Sequence, residues 1–159
     1  MQNEKATFGA GCFWHIEEEF KKLYGVTSTF VGFMGGNCKT PSYKDVCTGK
    51  TGHAEVVHLE YDPKVISYEK LLELFWNLQD PATLIRQGPD IGTQYRSAIF
   101  FHTTEQEKTA NESKLKLEKS GKLKNKIVTE IKPVQDFYKA EEYHQQYFEK
   151  QSRTCRINQ

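Results

Sequence analysis

Cys12 is the residue in this sequence best suited to nucleophilic chemistry. It lies in the run Gly9-Ala10-Gly11-Cys12-Phe13-Trp14, where strand-like sequence gives way to helix-like sequence. A thiol at a helix start meets the positive end of the helix dipole and backbone N–H groups that have no intrahelical partner. Both favour the thiolate, which is the nucleophilic form. Gly9 and Gly11 permit a tight turn there. A lone cysteine before a helix is more often a small buried apolar residue. Phe13 and Trp14 weigh against that reading, because adjacent aromatics do not normally share one helix face. At a helix start they can wall a pocket for a small apolar group. These local features leave both readings open.

The elements that must position the thiol follow from hydrophobic periodicity. Residues 5–10 read as a strand. Phe13, Ile16, Phe20, Leu23 and Tyr24 recur at helical spacing, and Gly25 is a suitable stop. Residues 26–33 read as a strand ended by Gly35-Gly36. Residues 37–52 read as a loop with one helical turn at 43–47, and residues 54–61 alternate as a third strand. Residues 67–78 carry Leu71, Leu72, Phe75 and Leu78 on one helical face, closed by Asp80-Pro81. Residues 82–94 contain Gly88, Pro89 and Gly92 and read as a long irregular loop, a kind that is often functional. Residues 97–102 read as a strand. Thr104 and Glu107 form a capping-box pattern for a charged helix ending near Gly121. Residues 128–131 read as a short strand, 140–148 as a last helix, and 149–159 as a mobile tail. The strand–helix order predicts a single α+β domain, a two-layer sandwich of mixed sheet and packed helices.

Composition narrows the setting. The chain has 159 residues, 37% hydrophobic and 27% charged, with a formal charge of +1. That suits one globular domain and gives no electrostatic pull toward nucleic acid or membrane. The lysines between 114 and 126 are interrupted by Glu118 and read as a solvated helix face. No apolar signal core or bilayer-length run is present, so a reducing cytoplasm is the expected location. The four cysteines, Cys12, Cys38, Cys47 and Cys155, include no Cys-x-x-Cys pair. His53 and His58 are an odd number apart in one predicted strand and point to opposite faces, which argues against joint metal ligation. Neither a metal nor an organic cofactor is expected.

Gly11-Cys12-Phe13-Trp14 resembles the methionine sulfoxide reductase A family. The likeness continues in family order through Gly35-Gly36, Pro41-Ser42-Tyr43, Val46-Cys47-Thr48-Gly49, Thr51-Gly52-His53-Ala54-Glu55, Tyr61-Asp62-Pro63, Gly92-Thr93-Gln94-Tyr95-Arg96-Ser97 and His144-Gln145-Gln146-Tyr147. It spans residues 7–147. The resemblance implies a ferredoxin-like fold and thiol-dependent reduction of the S epimer of methionine sulfoxide, in oxidised proteins and as the free amino acid. It makes Cys12 the nucleophile and Glu55 the acid that protonates the departing oxygen. A carboxyl group can do this near neutral pH only if apolar surroundings raise its pKa. By the same resemblance Tyr43 and Tyr95 hold the sulfoxide oxygen, Phe13 and Trp14 enclose the methyl group, and Asp90 positions substrate. Attack leaves a sulfenic acid on Cys12, which a second thiol resolves.

The resemblance makes Cys155 that resolving thiol, with thioredoxin, or a glutaredoxin- or glutathione-type reductant, restoring the dithiol. A monomer is the expected state. The tail departs from the pattern. Many relatives have Asn-Pro-x-Gly-Tyr-Cys, whereas this chain has Gln151-Ser152-Arg153-Thr154-Cys155-Arg156. Cys38 or an external thiol is the alternative resolver, and Cys47 matches a position without catalytic duty. Phe33 stands where relatives usually have tyrosine, and His15 where many have glycine. Two rival readings remain. One is a cysteine hydrolase or acyltransferase using Cys12 with His53 or His144 as base. The other is a non-enzymatic thiol or protein-binding module.

Overall fold

The computed structural model describes residues 3–79, 81–82, 86–87, 90–123, 125–147 and 149–150. Among the described residues there are eight strands, β1 (Glu4–Ala10), β2 (Val26–Met34), β3 (Ala54–Tyr61), β4 (Arg86–Gln87), β5 (Asp90–Ile91), β6 (Ser97–Phe101), β7 (Glu130–Pro133) and β8 (Tyr138–Lys139). The helices are α1 (Phe13–Lys21), α2 (Tyr43–Cys47), α3 (Tyr68–Leu78) and α4 (Thr104–Lys119). Six strands form one sheet in the order β7-β6-β1-β3-β2-β8, and β4 pairs with β5 in a separate hairpin. Only β6 and β7 run parallel, so the sheet is mixed as expected.

The two-residue period of each strand divides the sheet into two faces. Ala6, Phe8 and Ala10 of β1, Val57, Leu59 and Tyr61 of β3, and Ile99 of β6 pack in one cluster. Phe13, Ile16 and Phe20 of α1 and Leu71, Leu72 and Phe75 of α3 complete it. Burying each large side chain stabilises the fold by ~1.5–3 kcal/mol relative to exposure. The opposite face gathers Met34, Ala54, Val56, Ala98 and Phe100, with Phe137 packed against them. Phe137 can lie there because β2 carries Gly32. A Cβ at that position would collide with the Phe137 ring and the Tyr138 carbonyl.

Several boundaries differ from the sequence reading. The α4 cap is Thr103, whose side chain accepts from Gln106 N, rather than Thr104 with Glu107. His53 precedes β3 rather than lying in it. The 82–94 loop contains the β4–β5 hairpin and one 3-10 turn (Thr93–Tyr95). The edge strand β7 starts at Glu130, two residues later than read. The largest correction concerns 140–148, read as a helix. There the chain forms a 3-10 turn (Glu142–His144), followed by Gln146 in a left-handed conformation at φ 51. Side-chain bonds pull it out of helical geometry. Gln145 accepts from Val31 N at 2.8 Å and donates to Val31 O at 2.9 Å, so its amide stands in for a strand along the β2 edge.

Candidate active site

Cys12 is the N-cap of α1, with extended backbone and no capping bond from its side chain. The thiol is half-buried at the positive end of that helix. Gly11 before it lies at φ +100, a conformation that other residues rarely adopt. A Cβ on Gly11 would come within 3.1 Å of the Gln87 side chain. The β4–β5 hairpin is therefore folded onto the turn that presents the thiol, and a residue other than glycine would strain both.

Glu55 is brought to the same helix end from β3. Period two places it on the face of Val57, Leu59 and Tyr61, and it is only 1% exposed. Its Oε1 accepts from Phe13 N at 3.3 Å. This backbone donor is one of those left over at a helix N-terminus, so a carboxyl from the sheet caps α1 where Cys12 does not. The carboxyl thus reaches the backbone one residue after Cys12. Phe33, opposite Glu55 in the β2–β3 ladder, is fully buried and lies 5.8 Å from the Phe13 ring.

Tyr43 enters on α2. Ser42 and Asp45 form a capping box that fixes this short helix. Glu141 adds a second tie, its carboxylate accepting from Tyr43 N at 3.1 Å. The Tyr43 phenol is pushed well above its ordinary range by burial foremost. A hydrogen bond with Cys47 and the charges of Cys47, Glu55 and Tyr95 act in the same direction. Tyr43 therefore stays protonated as a neutral donor, with Glu55 and Tyr95 close enough to influence it. Tyr95 ends the 3-10 turn and is half-buried.

The aromatic wall is larger than the sequence reading made it. Phe13 is buried and Trp14 half-buried. His144, fully buried, packs its ring tilted against those of Tyr43 and Phe13, with centres 4.3 Å and 5.4 Å away. Its Nδ1 accepts from Trp14 Nε1 at 2.9 Å, which fixes the indole. Tyr147 stacks on the other side of Trp14 at 4.1 Å. His144 and Tyr147 belong to a motif that sequence reasoning quoted without assigning them a role. The signal was the four-residue run itself, and only the unexpected strap geometry gives it a position. Burial foremost pushes the His144 imidazole below its usual pKa, so it is neutral.

Other sequence-predicted residues fall elsewhere. The backbone of Asp90 pairs with Gln87 in the hairpin beside Gly11. Its side chain, and all of Cys155, lie outside the described residues. Cys38 is half-buried in the loop after β2, its carbonyl 2.6 Å from His53 Nε2. The other ring nitrogen of His53 accepts from Gly36 N at 3.0 Å. His53 thus spends both nitrogens on the backbone, and His144 Nδ1 is taken by Trp14. A hydrolase that needs either as base for Cys12 gains no support. Among the described residues no group of three or more His, Cys, Asp or Glu side chains is arranged to hold a metal ion. Nor is any helix long and apolar enough to cross a membrane.

Comparison with known proteins agrees with this geometry. A family model described as peptide methionine sulfoxide reductase matches residues 4–159. The chain is 59% identical over 150 residues to peptide methionine sulfoxide reductase MsrA of Methanothermobacter thermautotrophicus, covering 94% of this chain and 89% of that protein. It is 58% identical over 150 residues to MsrA 1 of a Nostoc species, covering 94% and 92%. Among solved structures, the reduced form of Mxr1 from Saccharomyces cerevisiae matches with TM-score 0.86 and 40% identity over 94% of this chain and 86% of that one. Mxr1 in complex with Trx2 matches with TM-score 0.63 and 27% identity, covering 92% and 85%.

Proposed function

The chain belongs to the peptide methionine sulfoxide reductase A family, and on that premise we propose how its residues share the reaction. The activity is thiol-dependent reduction of the S epimer of methionine sulfoxide to methionine, which repairs oxidised protein. The free amino acid is a substrate of the same pocket. The observation that carries the assignment of roles is the buried Glu55 carboxyl bonded to Phe13 N, one residue from the Cys12 thiol.

Phe13 and Trp14 enclose the substrate methyl group, with His144 and Tyr147 holding Trp14 in place. Fully burying one methyl is worth on the order of 1 kcal/mol. The rigid wall lets only one arrangement of methyl, oxygen and lone pair face the thiolate, which is how one epimer is selected. Tyr43 and Tyr95 donate hydrogen bonds to the sulfoxide oxygen without adding charge to an apolar site. Asp90 positions the rest of the substrate. Cys12 attacks the sulfur, and Glu55 delivers a proton to the oxygen as the S–O bond weakens. Sulfoxide and thiol become thioether and Cys12 sulfenic acid. Cys155 then condenses with the sulfenic acid, releasing water and forming a disulfide.

A dithiol restores both cysteines by exchange. The capture of Mxr1 with Trx2 supports a thioredoxin in that role, with glutaredoxin or glutathione as the competing reductants in an assay. A monomer working in the reducing cytoplasm completes the proposal. Turnover with each methionine sulfoxide epimer and dithiothreitol is the test. Loss of the S form alone is expected, and a folded sample that turns over neither epimer overturns the assignment. Mass spectrometry after one turnover is expected to show a Cys12–Cys155 disulfide. A lasting sulfenic acid or a bond to Cys38 would replace Cys155 in the scheme.

A further inference from the structure

We infer that Arg96 is a positioning residue that locks the loop leading into β3, which carries Glu55, to the 3-10 turn that carries Tyr95, so that carboxyl and phenol converge on one oxygen. The inference rests on the roles given above to those two residues. Arg96 directly follows the 3-10 turn that ends at Tyr95. Its guanidinium is spread over three separate segments. Nη1 donates to Thr93 O at 3.0 Å, in the turn that carries Tyr95. Nη2 donates to Gly52 O at 2.9 Å, three residues before Glu55. Nε donates to Glu130 Oε1 at 2.6 Å, in β7. The end of β2 lies close as well, since a Cβ on Gly35 would come within 3.2 Å of Nη2.

Gly52 O lies outside the sheet ladders, where a backbone oxygen needs a donor, and Thr93 O, which already accepts from Arg96 N at 3.2 Å, takes the guanidinium as a second donor. The planar fork supplies two donors in fixed directions, so the Gly52 and Thr93 loops are held at a set separation. Glu130 fixes the fork in turn. Burial would raise its carboxyl, but hydrogen bonds and charge from Lys132 and Arg96 outweigh burial and hold it below the usual range. The Arg96 side chain is only 15% exposed, and its bond to Glu130 is partly buried while those to Thr93 O and Gly52 O lie toward the surface. Glu55 reaches the site from the start of β3 and Tyr95 from the 3-10 turn, 40 residues apart along the chain. Arg96 provides the short physical link between them.

The methyl pocket stands on α1 and receives no bond from Arg96 in these contacts. Misalignment of proton donor and oxygen holder should therefore slow the chemical step without weakening substrate binding. The measurement is single-turnover formation of methionine by reduced enzyme with no external reductant. Arg96→Lys keeps the charge but loses the fork. It is expected to be about 30-fold slower at saturating substrate, with half-saturation within about threefold of wild type. In a Tyr95→Phe background the same change should cost about threefold or less, because the partner it aligns is already gone.

Leu72→Val, in the core under α3, is the stability control and should lower the melting temperature while leaving the rate within about twofold. If Arg96→Lys does not fold, Arg96→Gln is measured in the same way. An Arg96 variant within twofold of the wild-type rate, or one whose loss lies wholly in half-saturation, overturns the inference. So does an equal rate loss in Leu72→Val. Glu55→Ala run alongside separates the two levels. If it keeps the wild-type rate, the role of Glu55 falls. If it loses rate and Arg96→Lys does not, only the inference about Arg96 falls.

Discussion

Two buried glutamates touch α1, and their surroundings differ in a way that assigns them different work. Glu55 and Glu17 are each 1% exposed. Glu55 sits at the helix N-terminus beside Cys12, among Phe13, Phe33 and Tyr43. Glu17 sits one turn further along α1, where the helix meets the strap of residues 140–147. Its Oε1 accepts from Gln146 N at 2.8 Å. Its Oε2 accepts from Thr29 Oγ1 and from Gln146 Nε2, each at 2.9 Å. Burial foremost raises the Glu17 carboxyl, and those hydrogen bonds with the Lys21 charge pull it back only in part. Burial alone thus does not distinguish an acid from an anchor. Glu17 is surrounded by donors from Thr29 and Gln146, and it holds the left-handed Gln146 in place. Glu55 caps the end of α1 next to Cys12 and opposite Phe33, the place from which a proton is proposed to be delivered.

The largest effect that sharpens this contrast is expected at Glu55. Glu55→Gln keeps an oxygen for Phe13 N but removes the proton. General acid catalysis contributes about 100- to 10,000-fold, so single-turnover formation of methionine should fall by at least about 100-fold. Urea denaturation of the same variant should show stability unchanged or higher, because a buried ionisable group has been replaced by a neutral one. Glu55→Ala should recover part of its rate at lower pH, where solvent supplies the proton. A Glu55→Gln enzyme that loses stability and keeps its rate would reverse the assignment of the two glutamates.

Much of this contrast was legible in the sequence, for physical reasons that differ by residue. Glu55 was legible through its motif, Thr51-Gly52-His53-Ala54-Glu55, whereas strand alternation by itself reads it as an outward-facing residue. The motifs around Cys12, Tyr43 and Tyr95 were equally visible, and α2 (Tyr43–Cys47) coincides with the single helical turn read there. Glu17 was not singled out, although its spacing, four residues after Phe13 and three before Phe20, lies on the apolar face of α1, because its charge alone does not say what it meets there. Its burial comes from the strap, which itself was misread. Residues 140–148 have helical composition, but Gln145 and Gln146 spend their side-chain amides on β2 and Glu17. Side-chain bonds to distant backbone leave no periodic trace. Arg96 was quoted within a motif, yet nothing local says that its fork reaches Gly52, 44 residues away.

A smaller effect is expected at Glu17, and mainly on stability. Glu17→Ala leaves Gln146 N and Thr29 Oγ1 without their acceptor inside the protein. Each orphaned buried donor costs about 1–3 kcal/mol, and relaxation of the strap recovers some of it. A net loss of about 2 kcal/mol by urea denaturation is the expected outcome, with the rate at saturating substrate within about threefold of wild type. His144 and Tyr147 ride on the same strap and hold Trp14, so half-saturation should rise modestly. A rate loss comparable with that of Glu55→Gln would make Glu17 part of the chemistry and break the comparison.

The smallest effect tests whether a buried titratable group with full partners behaves as an anchor elsewhere in the molecule. On the sheet face away from α1, Thr7 Oγ1 lies 2.8 Å from His58 Nδ1 and 2.9 Å from His102 Nε2. One hydroxyl can donate to one ring and accept from the other, so the trio is satisfied with both imidazoles neutral. Burial foremost, then the charges of His58 and Lys5, lower His102 to about 4. Burial and Lys5 lower His58 as well, against the opposing charge of Glu60. On acidification the unfolded histidines, near 6.5, take up protons first. Stability from this trio is therefore present above pH 6.5 and is lost as pH falls toward about 4. Glu17 acts with the opposite sign. Its raised carboxyl contributes stability below the unfolded value of 4.5 that is lost as pH rises through the folded value. Urea midpoints of wild type and His102→Gln between pH 4 and 7 separate the two. The variant should lose about 1 kcal/mol less on acidification, a figure already discounted for solvent screening of a half-exposed ring. Glu17→Ala should change the same profile in the other direction, removing a gain on acidification. If His102→Gln keeps the full wild-type slope, the trio contributes no pH dependence, and neutral pairing around Thr7 is not what holds these rings.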